Sequence, residues 1–427
     1  MIATLARMAP DPTLPSRDRL LDAEFMAARL GEILSRSETV EVDGYERGRV
    51  KYRVGASLRV LHRCRIDGRP VLVASRTFPA GESNRAYEAA LDSAPGEPSE
   101  VVAHDPELDT VFWVFPHDRK LATLPLLLGR SDELDRLVGV PVIPSVVQYA
   151  PEKSATAACR PATGGEPLAY AKVYADADEG RLGHLIHDHL PRVLNPTHPN
   201  LGLPGFLGYD APSRLLVVEA VRGVRMDLLQ GEALIGALGE LGRAVATLHG
   251  LRPPAGIPRF SRLTPERAGT AAGFIGRLLP DLAADVAELA AELIATYTEP
   301  SEPDACLHGD VHPKNAILRD GRVVLIDMDQ LALGPSAAEL GSVRAALRYR
   351  AVTGQARRGE IARLEAAFLN GFGATRSLPS GTEIRWYTAA ALLNERALRA
   401  VNRMRPEGLA VMDALLAEAR SELRGGA

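Results

Sequence analysis

The sequence predicts an α+β fold in which a strand-rich part precedes a helix-rich part. Before about residue 220, short apolar runs alternate with turn residues, and Asp67-Gly68 is typical of a tight hairpin turn. From Glu232 onward, apolar residues recur at intervals of three and four, which is the spacing of an amphipathic helix. Strands and helices do not alternate along the chain, so we do not expect a parallel βαβ sheet.

Composition restricts the class of protein. The 427 residues are 46% hydrophobic and 24% charged, as in a globular protein of two or three domains. A net charge of −4 gives no broad basic surface, so we expect no nucleic-acid partner. Three widely spaced cysteines favour a reducing compartment, and no apolar run is long enough to cross a membrane. We therefore expect a cytoplasmic protein without a membrane partner, and the oligomeric state stays open.

The N-terminal region, residues 1–145, is predicted to combine one helix with several strands. The helix is indicated by apolar residues on one face: Leu20, Leu21, Phe25, Ala28 and Leu30. The strand segment aligns without gaps with a later one, so that Tyr52 matches Tyr149 and Ser75 stands where the later segment has Lys172. This predicts a degenerate repeat that keeps the sheet without the cation. Chance similarity between two hairpins is the alternative.

Later elements follow from the same patterns. The apolar run RLLVVEA at 214–220 predicts a buried strand, and Gly223 suggests a hinge after it. Beyond the helix that begins near Glu232, further helices are expected. They lie at about 265–298, 336–350, 359–370 and 383–424, with breaks at Pro280 and near Pro406.

The segment CLHGDVHPKNAIL at 306–318 is the densest polar cluster of the chain, and it lies within an apolar stretch. An Asp-Gly turn at 320–321 reverses the chain into a strand that ends at Asp327. A two-residue turn brings the outer ends of its strands together. Asp310, Asn315 and Asp327 are therefore predicted to converge on one small volume.

These three side chains suit phosphoryl transfer. Oxygen atoms of Asn315 and Asp327 are the ligands that Mg²⁺ prefers, and Asp310 is left to orient a hydroxyl or accept its proton. The spacing of an Asp, an Asn five residues later, a hairpin and a second Asp matches the catalytic half of kinase machinery. The alternatives are a polar turn with solvated carboxylates, or a zinc site on the two histidines, for which further ligands are not evident.

HGDVHPKN followed by LIDMD closely resembles the aminoglycoside phosphotransferase and choline kinase-like family, whose usual pattern is HGDxxxxN…IDxx. The strand ending in AKVY, the segment RLLVVEAVRG and the helix ending in ATLHGL extend the resemblance from about Val146 to the C-terminus. The resemblance implies a bilobal protein-kinase-like fold with an additional N-terminal region. Residues 146–221 would be the small nucleotide-binding lobe and hinge, and 222–427 the helical catalytic and substrate-binding lobe.

The resemblance also implies roles for single residues. Asp310 would be the catalytic residue, Asn315 and Asp327 the metal ligands, and His308 the structural histidine that opens the loop. The segment GPSAAELG resembles one that ends in Asp-Leu-Ala or Asp-Leu-Gly in the family, with Glu339 here in place of the Asp.

Lys172, in the strand-like YAKVY, is expected to reach the α- and β-phosphates of a nucleotide as a point charge. Glu179 and Asp188, on the helix that follows, are the candidate acids to tether it.

Other nucleotide contacts are expected nearby. No P-loop motif and no GxGxxG is present, so Lys153 and the Ser154 hydroxyl are the candidates beside the phosphates, with a plain turn as the alternative. The adenine is expected against the main chain at 218–221, which includes Glu219 and Val221.

The predicted reaction transfers the γ-phosphoryl group of ATP, with GTP as an alternative donor, to a hydroxyl of a small molecule, assisted by Mg²⁺. An aminoglycoside, a sugar or an amino alcohol would be the acceptor. The alternative is a catalytically weak nucleotide-binding scaffold whose N-terminal region is an interaction module.

Two further groups of side chains attract attention. His184, His187 and His189 are close in sequence and are predicted to be solvated or capping residues rather than a metal site. A basic run near the C-terminus predicts either a solvated helix face or a contact with an anionic substrate or partner: Arg396, Arg399, Arg403 and Arg405.

Overall fold

A computed structural model describes residues 8–35, 41–93, 101–194 and 198–425. The helices are α1 (Arg17–Leu21), α2 (Ala23–Leu34), α3 (Ser83–Ser93), α4 (Asp132–Val138), α5 (Ala177–Val193), α6 (Gly231–His249), α7 (Pro265–Leu278), α8 (Ala283–Ala295), α9 (Ser336–Val352), α10 (Arg358–Gly373), α11 (Gly381–Ala391), α12 (Leu398–Arg403), α13 (Pro406–Ala410) and α14 (Met412–Leu423). The strands are β1 (Val42–Arg53), β2 (Ser57–Ile66), β3 (Arg69–Thr77), β4 (Val102–Asp105), β5 (Thr110–Val114), β6 (Val142–Ala150), β7 (Ser154–Pro161), β8 (Ala169–Tyr174), β9 (Leu201–Gly202), β10 (Phe206–Asp210), β11 (Leu215–Glu219), β12 (Val224–Arg225), β13 (Ala305–Leu307), β14 (Ala316–Arg319), β15 (Arg322–Leu325) and β16 (Ala332–Gly334).

The order of elements confirms the α+β prediction, and local chemistry sets several boundaries. The single helix predicted near the N-terminus is two helices, because Asp22 ends α1 and its side chain caps α2 by accepting from the Phe25 N–H at 2.8 Å. The long C-terminal helix is likewise interrupted, by a π-helical stretch at Leu392–Ala397 and a left-handed residue at Met404. None of the helices in the described ranges is long and apolar enough to span a membrane.

Two antiparallel sheets of five strands share one plan. Their strand orders are β1-β2-β3-β5-β4 and, read from the equivalent edge, β6-β7-β8-β11-β10. In each sheet three consecutive strands are followed by a helix, α3 or α5, and then by two strands that pair beside the third. Descent of one from the other stays a prediction, and the common strand order is the observation that favours it.

The register of the sheets corrects one detail of the ungapped alignment. Lys172 pairs with Thr156, which is the third residue of β7. The third residue of β2 in the first sheet is Arg59, and it pairs with Arg76. Arg76 therefore takes the position of Lys172, and the expectation of Ser75 there was wrong. The pairing register of β3 on β2 therefore differs by one residue from that of β8 on β7. The connections differ as well, since a tight turn joins β2 to β3 and a longer loop joins β7 to β8.

The first sheet holds the loop between β6 and β7 through one buried carboxylate. Glu152 lies in that loop with a left-handed φ of 58°, and its side chain is 5% exposed. Its oxygens lie 3.0 Å from Arg59, 3.3 Å from Arg76 and 3.1 Å from Arg119. Its N–H also donates to Asp118 at 2.8 Å. The N-terminal region thus fixes the loop that the sequence assigns to the nucleotide phosphates.

A buried charge network ties the last helix to the helical lobe. Arg348 lies 2.9 Å from Glu365 on α10 and 2.9 Å from Glu418 on α14. Arg344, also on α9, lies 3.0 Å from Glu422. Apolar side chains of the helical lobe and of α1 and α2 form one continuous core, and a second core lies against the second sheet.

We predict that Glu152→Gln lowers the free energy of unfolding by about 2 kcal/mol, because three partly buried arginines lose their common anion. Thermal and urea unfolding of the full chain measure this. The matched control is Glu46→Gln, since Glu46 pairs with Arg63 at 3.1 Å on an exposed surface. That change is expected to alter stability by less than about 0.5 kcal/mol. Equal effects of the two substitutions would contradict the role given to Glu152.

Candidate functional site

The loop between β13 and β14 is held by the carboxylate of Glu339, which is 2% exposed. Its two oxygens accept from the N–H groups of His308 at 3.1 Å and Gly309 at 2.6 Å. The ring of His249 lies 2.9 Å away. Burial by itself raises the pKa of Glu339, but His249, His308 and the Gly309 amide lower it below its ordinary value. The Glu that replaces the family's Asp is therefore the residue that braces the loop.

The residues at the start of the loop tolerate few substitutions. Gly309 has a φ of 81°, and a Cβ there would lie 2.1 Å from the carbonyl oxygen of Gln330, so only glycine fits. The Nδ1 of buried His308 accepts the Asp310 N–H at 3.3 Å, which leaves its Nε2 to donate to the Ile326 carbonyl at 3.0 Å. Both ring nitrogens of His308 are engaged, so this histidine does not serve as a zinc ligand.

The side chain of Asn315 is tied to the main chain of Asp310. The Asn315 side-chain Nδ2 donates to the Asp310 main-chain carbonyl at 3.1 Å, and the Ile326 N–H donates to the Asn315 main-chain carbonyl at 3.0 Å. These bonds join the loop to the end of β15, immediately before Asp327. The turn between β14 and β15 has left-handed residues at both central positions, as the sequence predicted for a tight hairpin.

The Asp310 carboxylate is partly exposed and lies 3.6 Å from the Nε2 of His312. Because the His312 Nδ1 accepts the Lys314 N–H at 3.2 Å, its Nε2 carries the ring hydrogen and faces Asp310 across that 3.6 Å. Burial raises the pKa of Asp310, but His312 and the cationic Arg399 outweigh it and lower that pKa well below its usual range. Asp310 is thus a carboxylate at neutral pH.

Asp327 and Asp329 meet Lys172 across the cleft between the lobes. The Lys172 Nζ lies 3.3 Å from an oxygen of Asp327 and 2.5 Å from an oxygen of Asp329. The Tyr174 hydroxyl donates to the other oxygen of Asp329 at 2.9 Å. Burial lowers the pKa of Lys172, but the two carboxylates raise it above its ordinary value, so the ammonium group stays charged. Asp327 itself has a left-handed φ of 60°, an uncommon conformation that aims its side chain into the site.

The expected tether for Lys172 is corrected by this geometry. Glu179 is exposed at the start of α5, and Asp188 pairs with Arg192 on the same helix. Asp329 takes the role: it lies in the short helical turn Met328–Gln330 after β15, and its Oδ2 is 2.5 Å from the Lys172 Nζ.

The three histidines of α5 do not form a cluster. His184 stacks on Tyr209 with ring centroids 5.0 Å apart, and His189 bonds the Arg252 carbonyl at 2.9 Å. His187 is buried near Asp329, and burial lowers its pKa to about 4, so it presents a neutral ring beside the ion pair. The sequence contained no signal that distinguished His187 from its neighbours.

A cavity of about 660 Å³ lies where the N-terminal region and the two lobes meet, and Asp310, Asp327 and Asp329 line it together. Lys172 and Ser154 of the small lobe also line it, whereas Asn315 is not among its lining residues. The contact of Lys172 and Ser154 with nucleotide phosphates stays a prediction. Glu219 ends β11 and Val221 follows it, and neither borders this cavity. Their contact with an adenine stays a prediction.

The donor set suits a hard divalent cation. Asp327 presents a carboxylate whose side chain is 43% exposed. The bond to Asp310 uses the Nδ2 of Asn315, so the Asn315 Oδ1 is the atom that would serve as a metal ligand. Two oxygen ligands with water and phosphate completing the shell are typical of Mg²⁺ sites. In the part of the chain that the structure describes, no three His, Cys, Asp or Glu side chains are grouped to hold a metal ion by themselves.

A model of the phosphotransferase enzyme family matches residues 172–378. The match begins at Lys172 and contains the loop, the hairpin and Glu339, whereas the N-terminal region lies outside it. It confirms the resemblance, the protein-kinase-like fold class and the enzyme class predicted from the sequence. No curated protein matches the chain.

Three of the similar solved structures are distant in sequence from this chain. Aminoglycoside phosphotransferase APH(4)-Ia, in a complex with ADP and hygromycin B, is 16% identical over 69% of this chain and 98% of its own, with a TM-score of 0.48. Macrolide 2'-phosphotransferase MphH from Brachybacterium faecium is 17% identical over 69% and 98%, with a TM-score of 0.43. The gentamicin complex of APH(2")-IIa is 11% identical over 68% and 96%, with a TM-score of 0.46. These similarities support no statement about substrate.

We predict that Glu339→Gln lowers the free energy of unfolding at pH 7 by about 3 kcal/mol, because two buried N–H groups and His249 lose a charged acceptor. The folded-state pKa of Glu339 is depressed, so its contribution is complete above the ordinary glutamate pKa and is lost as the pH falls. The difference in stability between wild type and variant should therefore narrow below about pH 4.5. Urea unfolding between pH 3 and 7 measures it, and a constant difference would contradict the assignment.

Proposed function

We propose that this chain, whose residues 172–378 match a model of the phosphotransferase enzyme family, transfers the γ-phosphoryl group of ATP to a hydroxyl group of a small molecule. The observation that carries the proposal is the convergence of Asp310, Asp327 and Lys172 on one cavity. GTP is an alternative donor, and aminoglycosides, sugars and amino alcohols are the acceptor classes to test.

The phosphates of the nucleotide would lie between β8 and the loop at 151–154. Lys172 keeps its charge in the cleft and supplies a point charge for the phosphate oxygens. Ser154 borders the cavity, and Glu152 anchors the loop to the first sheet. The loop is therefore fixed before a nucleotide arrives, which reduces the ordering that binding would require.

Asp327 and Asn315 would hold Mg²⁺, which when bound neutralises negative charge on the phosphate oxygens. Asp329 would remain with Lys172 and Tyr174, since those contacts engage both of its oxygens.

Asp310 would orient the acceptor hydroxyl by accepting its hydrogen bond. Because its pKa is well below the usual range, Asp310 is a weak base and takes the proton only as the oxygen–phosphorus bond forms. Phosphoryl transfer through a loose transition state needs alignment more than a strong base. His312 and the loop bonds of Asn315 supply that alignment.

We predict that Asp310→Ala lowers kcat by at least about 10³-fold while ATP binding persists, since the lost group acts on the acceptor rather than on the nucleotide. ADP release with Mg²⁺ across sugars, amino sugars, aminoglycosides and amino alcohols measures turnover, and calorimetry measures ATP binding. The matched control is Asp320→Ala, because Asp320 lies at the exposed tip of the hairpin and should leave both readouts unchanged.

Normal turnover in a folded Asp310→Ala variant would contradict the assignment. Nucleotide binding by the wild type without turnover on any acceptor, acidic small molecules included, would instead favour the scaffold alternative. Turnover that persists after Mg²⁺ is chelated would contradict the role given to Asn315 and Asp327.

A further inference from the structure

We propose that the acceptor is an acidic small molecule, whose carboxylate or phosphate group binds a cluster of arginines beside Asp310. This inference rests on the proposed function and specifies its substrate class. The arginine cluster consists of Arg49 on β1, Arg399 and Arg403 on α12, and Arg405 immediately after it.

The charge of the cavity is opposite to the charge of the chain. Eight cationic and three anionic side chains line it, although the protein as a whole carries a net charge of −4. Two of those cations already have acidic partners, because Lys172 lies beside Asp329 and Arg262 lies 3.3 Å from Glu395. The other lining cations include four arginines, two from α12 and one each from β1 and the segment after α12.

The arginine cluster lacks compensating acids. Among the described residues, no carboxylate lies within 4.0 Å of Arg49, Arg399, Arg403 or Arg405. The one hydrogen bond found for the four guanidinium groups in these ranges runs from Arg403 to the Val50 carbonyl at 3.2 Å. Burial and the other three arginines lower the pKa of Arg403 to about 10. Like charges held this close oppose folding, and an oxyanion bound among them would relieve that repulsion.

The position of the cluster assigns it to the acceptor rather than to the nucleotide. Arg399 lies near enough to Asp310 to lower the pKa of that carboxylate. The cations that face the expected phosphate position, Lys153 and Lys172, come instead from the small lobe. An acceptor whose hydroxyl reaches Asp310 would extend toward the cluster. A cationic aminoglycoside in the same place would meet like charge.

The cluster also gives the N-terminal region a part in the site. β1 packs against α12, so that Arg49 from the first sheet and Arg403 from the helical lobe border one cavity. The substrate-binding surface is thus completed by residues outside the segment that matches the family.

The experiment measures anion binding to the full chain loaded with Mg²⁺ and the non-hydrolysable ATP analogue AMP-PNP, which fills the γ-phosphate position. Inorganic phosphate and acetate are titrated separately, and they distinguish a phosphate-bearing from a carboxylate-bearing acceptor. We expect one of these two anions to bind. Arg399→Gln and Arg403→Gln should each weaken the binding of that anion by at least about tenfold. Arg405→Gln, at an exposed position, is the variant least able to disturb folding.

Arg267→Gln is the matched control, since Arg267 is exposed on α7 away from the cavity. It should leave anion binding unchanged. Absence of anion binding to the loaded protein, or binding that the three cluster substitutions do not weaken, overturns the proposal of an acidic acceptor. Failure of AMP-PNP itself to bind overturns the proposed function instead, so the two failures are distinguishable.

Discussion

The candidate site depends on one buried carboxylate, that of Glu339. It is held in the helical lobe by α9, and it accepts hydrogen bonds from consecutive main-chain amides of the loop that carries Asp310. A loop with two such amides satisfied in the interior has few alternative conformations. Asp310, Asn315 and the end of β15 therefore have fixed positions relative to one another, and the proposed chemistry depends on those positions.

Around this brace the cavity divides into two electrostatic halves. On one side Lys172 is matched by Asp327 and Asp329, and this half suits a nucleotide with its metal. On the other side Arg399 lies near Asp310 with Arg49, Arg403 and Arg405 around it, and within the described ranges no salt bridge joins these four arginines to a carboxylate. The proposed acidic acceptor would supply the negative charge that this half of the cavity lacks.

The N-terminal region contributes to the site by the placement of its sheet and not by a recognisable sequence motif. Its sheet has the strand order of the small lobe, and Arg76 occupies the place of Lys172. The cation there meets the Glu152 carboxylate of the neighbouring loop instead of a nucleotide. The first sheet thus supports the loop between β6 and β7, and its β1 edge supplies one wall of the cavity.

By itself, the sequence determined the polar loop, its hairpin and the approach of Asp310 and Asp327 to one cavity, because these lie within twenty residues and a tight turn dictates how they meet. The metal-ligand roles of Asn315 and Asp327 stay a prediction. It also determined the α+β order, which follows from local periodicity. Only the tertiary structure decided that Asp329 tethers Lys172, that Arg76 replaces Lys172 in the first sheet, and that Arg49 joins Arg403. These pairs are separated by tens to hundreds of residues. Their contacts depend on register and on how the lobes pack, and no local spacing records either.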